Sequence, residues 1–417
     1  MVTRRKVVAL GAGAAASLAV TGLTVAGCRG GDKPKDASWN GPGQSGTGSA
    51  APSPSASAEP VTVKITPVAN ATKVSPTAPV VVSVAGGTLK GVTVSAGDRK
   101  VAGKLAEDGS WRSTGTLSYN TTYNVTVSVA DSAGVASEQT SSFKTLKPNG
   151  VAGVTFQANA LTALRTGATY GVGQPVMVHF SRTVRDRAAA EKAMRVETSP
   201  PVEGRWRWID GQNAHWRPAR YFAAGTRISV EVKLHGVNLG RDVYGENAAT
   251  HYTIGPSRIA VADGSSHRMK CYIDGKMVRD IPVSMGKGGT AKTPEGKTVN
   301  YWTASGVHVI INKQPSYNMT SASYGITDKK DPNFYDEDIK LCNRISYTGE
   351  FVHMADWNIS AHGRANTSHG CINVGPANAQ WFYDTFQVGD VVEVRNTPRQ
   401  LGLMDGVGDW TIPWSKW

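Results

Sequence analysis

At 417 residues the chain is too long for one ordinary hydrophobic core and should divide into two to four domains. It has no internal apolar run long enough to span a membrane, and its many Val- and Thr-rich segments lean towards β structure. The formal net charge is +13, which suits an exported protein that meets anionic polymers and headgroups; nucleic acid is not expected as a partner.

The first residues read as an address. Arg4, Arg5 and Lys6 precede a small apolar stretch from Val7 to Val25, and Val25-Ala26-Gly27-Cys28 then resembles the lipobox of bacterial lipoproteins. Residues 1–27 are accordingly expected to be a signal peptide, leaving Cys28 as a lipidated first residue that anchors an extracytoplasmic protein to the membrane, facing the cell wall. An ordinary secretory signal with a chance Cys is the alternative, and Thr3-Arg4-Arg5 leaves Sec or twin-arginine export open. Loss of Arg4, Arg5 and Lys6 with the signal lowers the charge from +13 to +10. Residues 28–60, rich in Gly, Ser, Pro and Ala, cannot bury enough apolar surface to offset chain entropy, which predicts a flexible tether.

Short alternating runs follow. Val61 to Ile65, Val80 to Val84 and Tyr123 to Val129 predict strands, with turns at Asp98-Arg99, Asp108-Gly109 and Asp131-Ser132. Residues 61–148 thus predict a small β-sandwich. Residues 149–255 repeat the plan. Pro175 to Phe180 parallels Pro79 to Val84, and Trp216-Arg217 leading to Ile228–Val232 parallels Trp111-Arg112 leading to Tyr123. Two degenerate immunoglobulin-like modules account for this, the second interrupted by a predicted helix from Arg187 to Val196. In residues 256–397, Asp274-Gly275 between His267–Ile273 and Lys276–Val283 is a two-residue hairpin signal. Further strands are expected at Val307–Ile311, Gly349–His353 and Val391–Val394, and Gly375-Pro376 opens a helix from Ala377 to Thr385. Residues 398–417 carry Trp410, Trp414 and Trp417, too many aromatics for a loose end, so the tail should dock on the folded body.

The chemistry concentrates in Phe351-Val352-His353-Met354, Ala361-His362-Gly363 and Thr367-Ser368-His369-Gly370-Cys371-Ile372-Asn373. A Cys after Gly, with His residues near, has the ingredients of an activated thiol. The nucleophile is the thiolate, and a neighbouring His can take its proton and return it to a leaving amine. Gly370 lets the backbone adopt dihedrals that aim N–H groups at one oxyanion. A zinc site on His353, His362, His369 and Cys371 is disfavoured, because His-x6-His-x-Cys lacks the paired short spacings of structural zinc. Cys271 and Cys342 could pair in an oxidising compartment, but buried free thiols are the favoured reading.

His353, eighteen positions before Cys371 inside Ser368-His369-Gly370-Cys371-Ile372-Asn373, resembles the YkuD-type L,D-transpeptidase signature, as found in actinobacterial enzymes with two immunoglobulin-like domains. Similarity extends over about 61–417, including Asn378 to Asp384 and Gly408-Asp409-Trp410 with Ile412-Pro413-Trp414. The resemblance implies a mainly β chain, two immunoglobulin-like sandwiches followed by a β-rich catalytic domain with a short helix and a tail. It implies that Cys371 attacks the carbonyl between the third and fourth residues of a peptidoglycan donor stem, expels D-Ala, and passes the acyl group to the amine of an acceptor stem in a 3→3 cross-link. His353 is then general base and acid, the backbone N–H groups of His369, Gly370 and Cys371 the oxyanion hole, and Tyr335, Thr348, Gly349, Trp357, Ser368, His369 and Asn373 the substrate pocket. Carbapenems acylate this cysteine in relatives. No metal or other cofactor is implied, and a monomer or weak dimer is expected. Met354 departs from the Ser frequent in close relatives, so the imidazole should be oriented by a backbone carbonyl, for which Met serves equally well. An L,D-carboxypeptidase or cysteine peptidase at the same site, or an inactive wall-binding lipoprotein, are the alternatives; intact Cys371 and His353 speak against the last. Tyr335, beside Asp331, Asp336, Glu337 and Asp338, is expected in an acidic mobile loop.

Overall fold

The computed structural model of the protein describes residues 60–417; Cys28, the signal segment and the tether up to residue 59 lie outside the described residues. In the first β-sandwich, Thr62–Thr66, Val81–Ala85, Trp111–Ser113 and Gly103–Leu105 form one sheet, and Arg99–Lys100, Gly87–Ala96, Thr122–Asp131 and Ala136–Lys144 the other. Period-two alternation dictates the packing: Tyr123, Val125, Val127 and Val129 all point into a core with Val80, Val82, Trp111 and Phe143.

The second sandwich has a five-stranded and a four-stranded sheet around Val178, Phe180, Trp216, Val230 and Tyr252. Its helix is shorter than the sequence suggests. It spans Arg187–Lys192, capped by Asp186 accepting from the Ala189 N–H, and Met194–Ser199 is a strand paired in register with Arg227–Val232. The alternation Met194, Val196, Thr198 finds a partner edge, and that pairing outweighs the helical preference of the alanines before it.

The catalytic region is built on nine strands: β1 (Arg258–Asp263), β2 (Arg268–Ile273), β3 (Lys276–Ser284), β4 (Gly306–Val309), β5 (Asn312–Thr320), β6 (Asp336–Arg344), β7 (Phe351–Met354), β8 (Ile372–Val374) and β9 (Val391–Arg395). They lie in the order β4-β9-β1-β2-β3-β8-β7-β6-β5. Pairing is antiparallel except between β1 and β9 and between β7 and β8. The β2–β3 turn has both Asp274 (φ 48) and Gly275 (φ 79) left-handed, as a two-residue hairpin requires. Acidic residues expected in a mobile loop instead open β6, where Asp336 and Asp338 pair with Thr320 and Asn318. The sequence signal was hidden because charges sit on an exposed strand and Leu341 (φ 56) breaks the alternation.

The sheet around the signature has two buried faces. On one, Val352, Ile372 and Val374 pack with Ala379, Phe382 and Phe386 of the helix Pro376–Thr385 and its C-cap, and Met354 lies against them. Truncating Phe382, which is fully buried, would cost about 3–5 kcal/mol. On the other, Met319, Ile339, Cys342 and Phe351 pack with Tyr335 and Cys371. Cys271 and Cys342 are both buried free thiols.

The second sandwich and the catalytic sheet share their packing. Val391 belongs to the sandwich core, with Ile259, Val307 and Val388 against it. Backbone bonds from Gly171 N–H to Val388 O (3.0 Å) and Gly173 N–H to Gly389 O (2.9 Å) seal the junction. A Cβ at Gly171 would lie 2.1 Å from Asp390 N, so only glycine fits there. The C-terminal segment crosses both bodies. His215 Nδ1–H donates to Asp409 Oδ1 at 2.7 Å, Arg217 donates to Ile412 O at 2.6 Å and lies over the rings of Trp410 and Trp417, and Trp417 Nε1–H donates to Arg205 O.

Candidate active site

Strand register places the reactive groups. The parallel pairing sets Val352 against Ile372, His353 against Asn373 and Met354 against Val374. Paired residues share a sheet face, so His353 and Asn373 point away from the helix, and Cys371, one residue ahead of β8, falls on their side beside Phe351. Met354 faces the helix and cannot reach the imidazole with its side chain.

His353 Nδ1–H donates to Met354 O at 2.7 Å. A carbonyl only accepts, so this bond fixes the proton on Nδ1 and leaves the lone pair on Nε2. Burial pulls the His353 pKa down to about 4, against the pull of the Met354 carbonyl and with a smaller contribution from His362. Trp357 stacks over the ring, centroids 6.0 Å apart at 19°, while itself staying more than half exposed. His362 is buried, its Nε2–H donating to Asn358 Oδ1 at 2.9 Å.

The Cys371 thiol is pushed up to about 12, first by burial and then by the Glu350 carboxylate, with the Phe351 backbone opposing. Burial thus favours the uncharged form of both groups, a neutral thiol and a neutral imidazole. The thiol makes its hydrogen bond to Gly349 O at 3.7 Å. Around it the loop is tied down: Ser368 Oγ donates to Cys371 O at 2.6 Å and accepts from Gly370 N–H at 3.1 Å, and Thr303 Oγ1 donates to Gly370 O at 2.8 Å. Ser368 thus holds the loop, and the Gly370 N–H is engaged inside it. Gly370 has φ +132; a Cβ there would meet only Glu350 Cγ at 3.9 Å, so backbone conformation and not space calls for glycine.

His369 receives Lys287 Nζ on Nε2 at 3.1 Å and packs between the rings of Tyr301 and Tyr335, centroids 5.0 and 5.1 Å away. Burial and the lysine pull its pKa down to about 4. It shapes the wall and has no free lone pair for proton transfer.

A cavity of about 470 Å³ opens onto Cys371. Of the residues singled out in the sequence, Tyr335, Thr348, Gly349 and His369 line it with Cys371. His353, Trp357, Ser368 and Asn373 do not line it; Asn373 is buried with its Oδ1 unpartnered among the described residues. Sequence reasoning missed Tyr324, Arg344, Glu350 and Arg399, which also line the cavity. Arg399 Nη1 donates to Glu350 Oε1 at 3.0 Å, and Asp405 accepts from Thr348 N–H at 2.8 Å and Thr348 Oγ1 at 2.7 Å. No local motif announces these pairs; the adjacency of Glu350 to Gly349 was the available signal.

Comparison with known proteins bears on the family of the chain. Residues 257–394 match the L,D-transpeptidase catalytic domain family, and residues 71–238, spanning parts of both sandwiches, match a bacterial Ig domain. L,D-transpeptidase 2 of Mycobacterium tuberculosis is 39% identical over 82% of this chain and 80% of its own length. L,D-transpeptidase 5 of the same species is 33% identical over 84% and 75%. A solved structure of the LD transpeptidase LdtMt1 in complex with imipenem aligns over 58% of this chain and 99% of that one, at 30% identity and a TM-score of 0.47. A mainly β chain of Ig-like modules and a catalytic sheet, at such identity over most of its length, belongs to the L,D-transpeptidase family.

Proposed function

We propose that the protein forms 3→3 peptidoglycan cross-links through a thioester on Cys371. The observation that carries this is the Met354 O bond to His353 Nδ1–H, which leaves a bare Nε2 on the sheet face that also bears Cys371. As the sulfur attacks the carbonyl ahead of the terminal D-Ala, Nε2 takes the thiol proton. Negative charge develops on the carbonyl oxygen, for which the backbone N–H groups of His369 and Cys371 are the candidate donors, the Gly370 N–H being held by Ser368 Oγ and so not available as the resemblance implied. Collapse expels D-Ala, whose nitrogen takes the proton back from Nε2. The acceptor amine then repeats the cycle: it loses a proton to Nε2, attacks the thioester and regenerates the thiol. The lactam carbonyl of a carbapenem offers the thiol the same acyl chemistry with the leaving amine still tethered.

Tyr335, Thr348 and Gly349, on the cavity, suit the donor stem; Trp357 and Asn373, beside His353, suit the group that exchanges protons with it. The test is the mass of products from a tetrapeptide stem with and without an acceptor. Loss of D-Ala with a covalent adduct on Cys371, followed by a cross-linked dimer, is expected; loss of D-Ala to give only the free tripeptide would make the enzyme a carboxypeptidase. We further propose an extracytoplasmic, lipid-anchored location through Cys28. Cys28→Ser should move the protein from the membrane to the soluble fraction, since two acyl chains are what make such anchoring stable; unchanged retention would refute it.

A further inference from the structure

The wall of the cavity at Thr348–Glu350 is held by residues far away in sequence. Thr348 is exposed, yet its N–H and Oγ1–H both donate to Asp405, at 2.8 and 2.7 Å. Arg399 bridges Glu350 Oε1 and Asp405 Oδ2, at 3.0 and 3.4 Å, and Glu350 Oε1 also accepts the Ala304 N–H at 2.8 Å. Between these two anchors stands Gly349, whose carbonyl accepts the Cys371 thiol.

Asp405 is in turn continuous with the second sandwich. Four residues on, Asp409 is buried and bonded to His215. Val407 and Trp410 pack in one small core with Met177 of the sandwich, Val309 and Ile311 of the catalytic region, and Tyr347 of the wall. Tyr347 Oη also accepts the Ala160 N–H from the sandwich at 2.7 Å. Packed side chains thus run unbroken from the sandwich to the residue before Thr348.

We propose that Asp405 is a positioning residue that ties the C-terminal segment to the wall Thr348–Glu350, so that the second β-sandwich, which holds that segment, sets where Gly349 O stands beside Cys371. The sandwich is then a part of the active site's frame and not a spacer. One arm of the test rests on the thioester reading above; the other does not.

Backbone hydrogen exchange is measured in the full chain and in Asp405→Ala, Asp405→Asn and His215→Ala. Losing a bond to a charged acceptor should speed exchange of the Thr348 amide on the order of tenfold in Asp405→Ala. Asp405→Asn, which keeps an acceptor for that N–H, should recover most of the protection. His215→Ala, remote from the cavity, should raise exchange across residues 346–350 in the same direction. In the second arm, thioester formation with a tetrapeptide stem should fall in both alanine variants through a raised KM, with alkylation of Cys371 by iodoacetamide unchanged. Unaltered Thr348 exchange in Asp405→Ala overturns the proposal. So does a His215→Ala protein that exchanges like the parent over 346–350, because the sandwich would then be uncoupled. Should the parent protein form no thioester, the transpeptidase reading fails while the exchange arm still decides this one; should Asp405→Ala not fold, His215→Ala and Asp405→Asn decide it alone.

Discussion

The two sides of Cys371 are built in opposite ways. On one, His353 and Asn373 come from two short neighbouring strands whose parallel register sets them side by side, with Cys371 one residue ahead of the second strand. On the other, Thr348, Glu350, Arg399 and Asp405 are gathered from a turn and a distant tail by side-chain hydrogen bonds. Proton transfer tolerates little misplacement; in the mechanism proposed above it falls on the backbone-fixed side, and the donor stem on the side braced by the C-terminal tail.

The sharpest break in this comparison is on the backbone-fixed side. Cys371→Ala should abolish covalent adducts in intact-mass spectra, and His353→Ala should slow carbapenem acylation by on the order of a hundredfold or more, both with the fold intact; an acylated Cys371→Ala protein would remove the assignment. The assembled side should break by truncation. A chain beginning near residue 256 should melt on the order of 10 °C below one beginning near residue 150, because it exposes the core shared with Val391 and strands the tail. Equal midpoints would show the bodies to be independent.

Acidity separates the two sides again. The His353 imidazole is held near pKa 4, below its ordinary 6.5, so it is neutral and competent from pH 6 to 8, and acylation should fall only as pH drops through about 4. The unfolded chain binds the extra proton first, so stability is fully present above about 6.5 and declines as pH falls towards 4. Acylation with a midpoint near 6.5 in the folded enzyme would mean an exposed, ordinary histidine. The smallest effect is expected at Met354. Its carbonyl acts and its side chain packs beneath the sheet, so Met354→Ala should change acylation less than roughly tenfold while costing about 2 kcal/mol of stability. Damage equal to that of His353→Ala in a folded protein would make the side chain the orienting group.

How much of this was legible followed the same division. Wherever partners are near in sequence or repeat at period two, the sequence shows them: the valines of Thr122–Asp131, the Asp274-Gly275 turn, the Pro376 helix start, and the Met354 carbonyl that accepts from His353. What it concealed was set by tertiary pairing. Met194 to Val196, the expected end of the helix, joined the strand Met194–Ser199 instead, whose partner Arg227–Val232 lies 28 to 38 residues further on, and the acidic run from Asp336 became a strand because β5 lies beside it. Arg399 and Asp405 carried no signal at all, since nothing local distinguishes a surface ion from one folded back onto a cavity.

Parallel strands cannot be joined by a tight turn, so the chain between β7 and β8 has to leave the sheet and return. The placement of His353 beside Asn373 is therefore set by register and not by the length of the crossover between them, which is free to vary. Within it Arg364 and Ala365 are exposed, while Gly363 N–H is pinned to Val283 O before them and Asn366 Oδ1 accepts the Met285 N–H after them. This makes that stretch of the crossover a natural insertion site, where a loop of altered length or a grafted recognition peptide could be carried within reach of the substrate without retuning the chemistry below it.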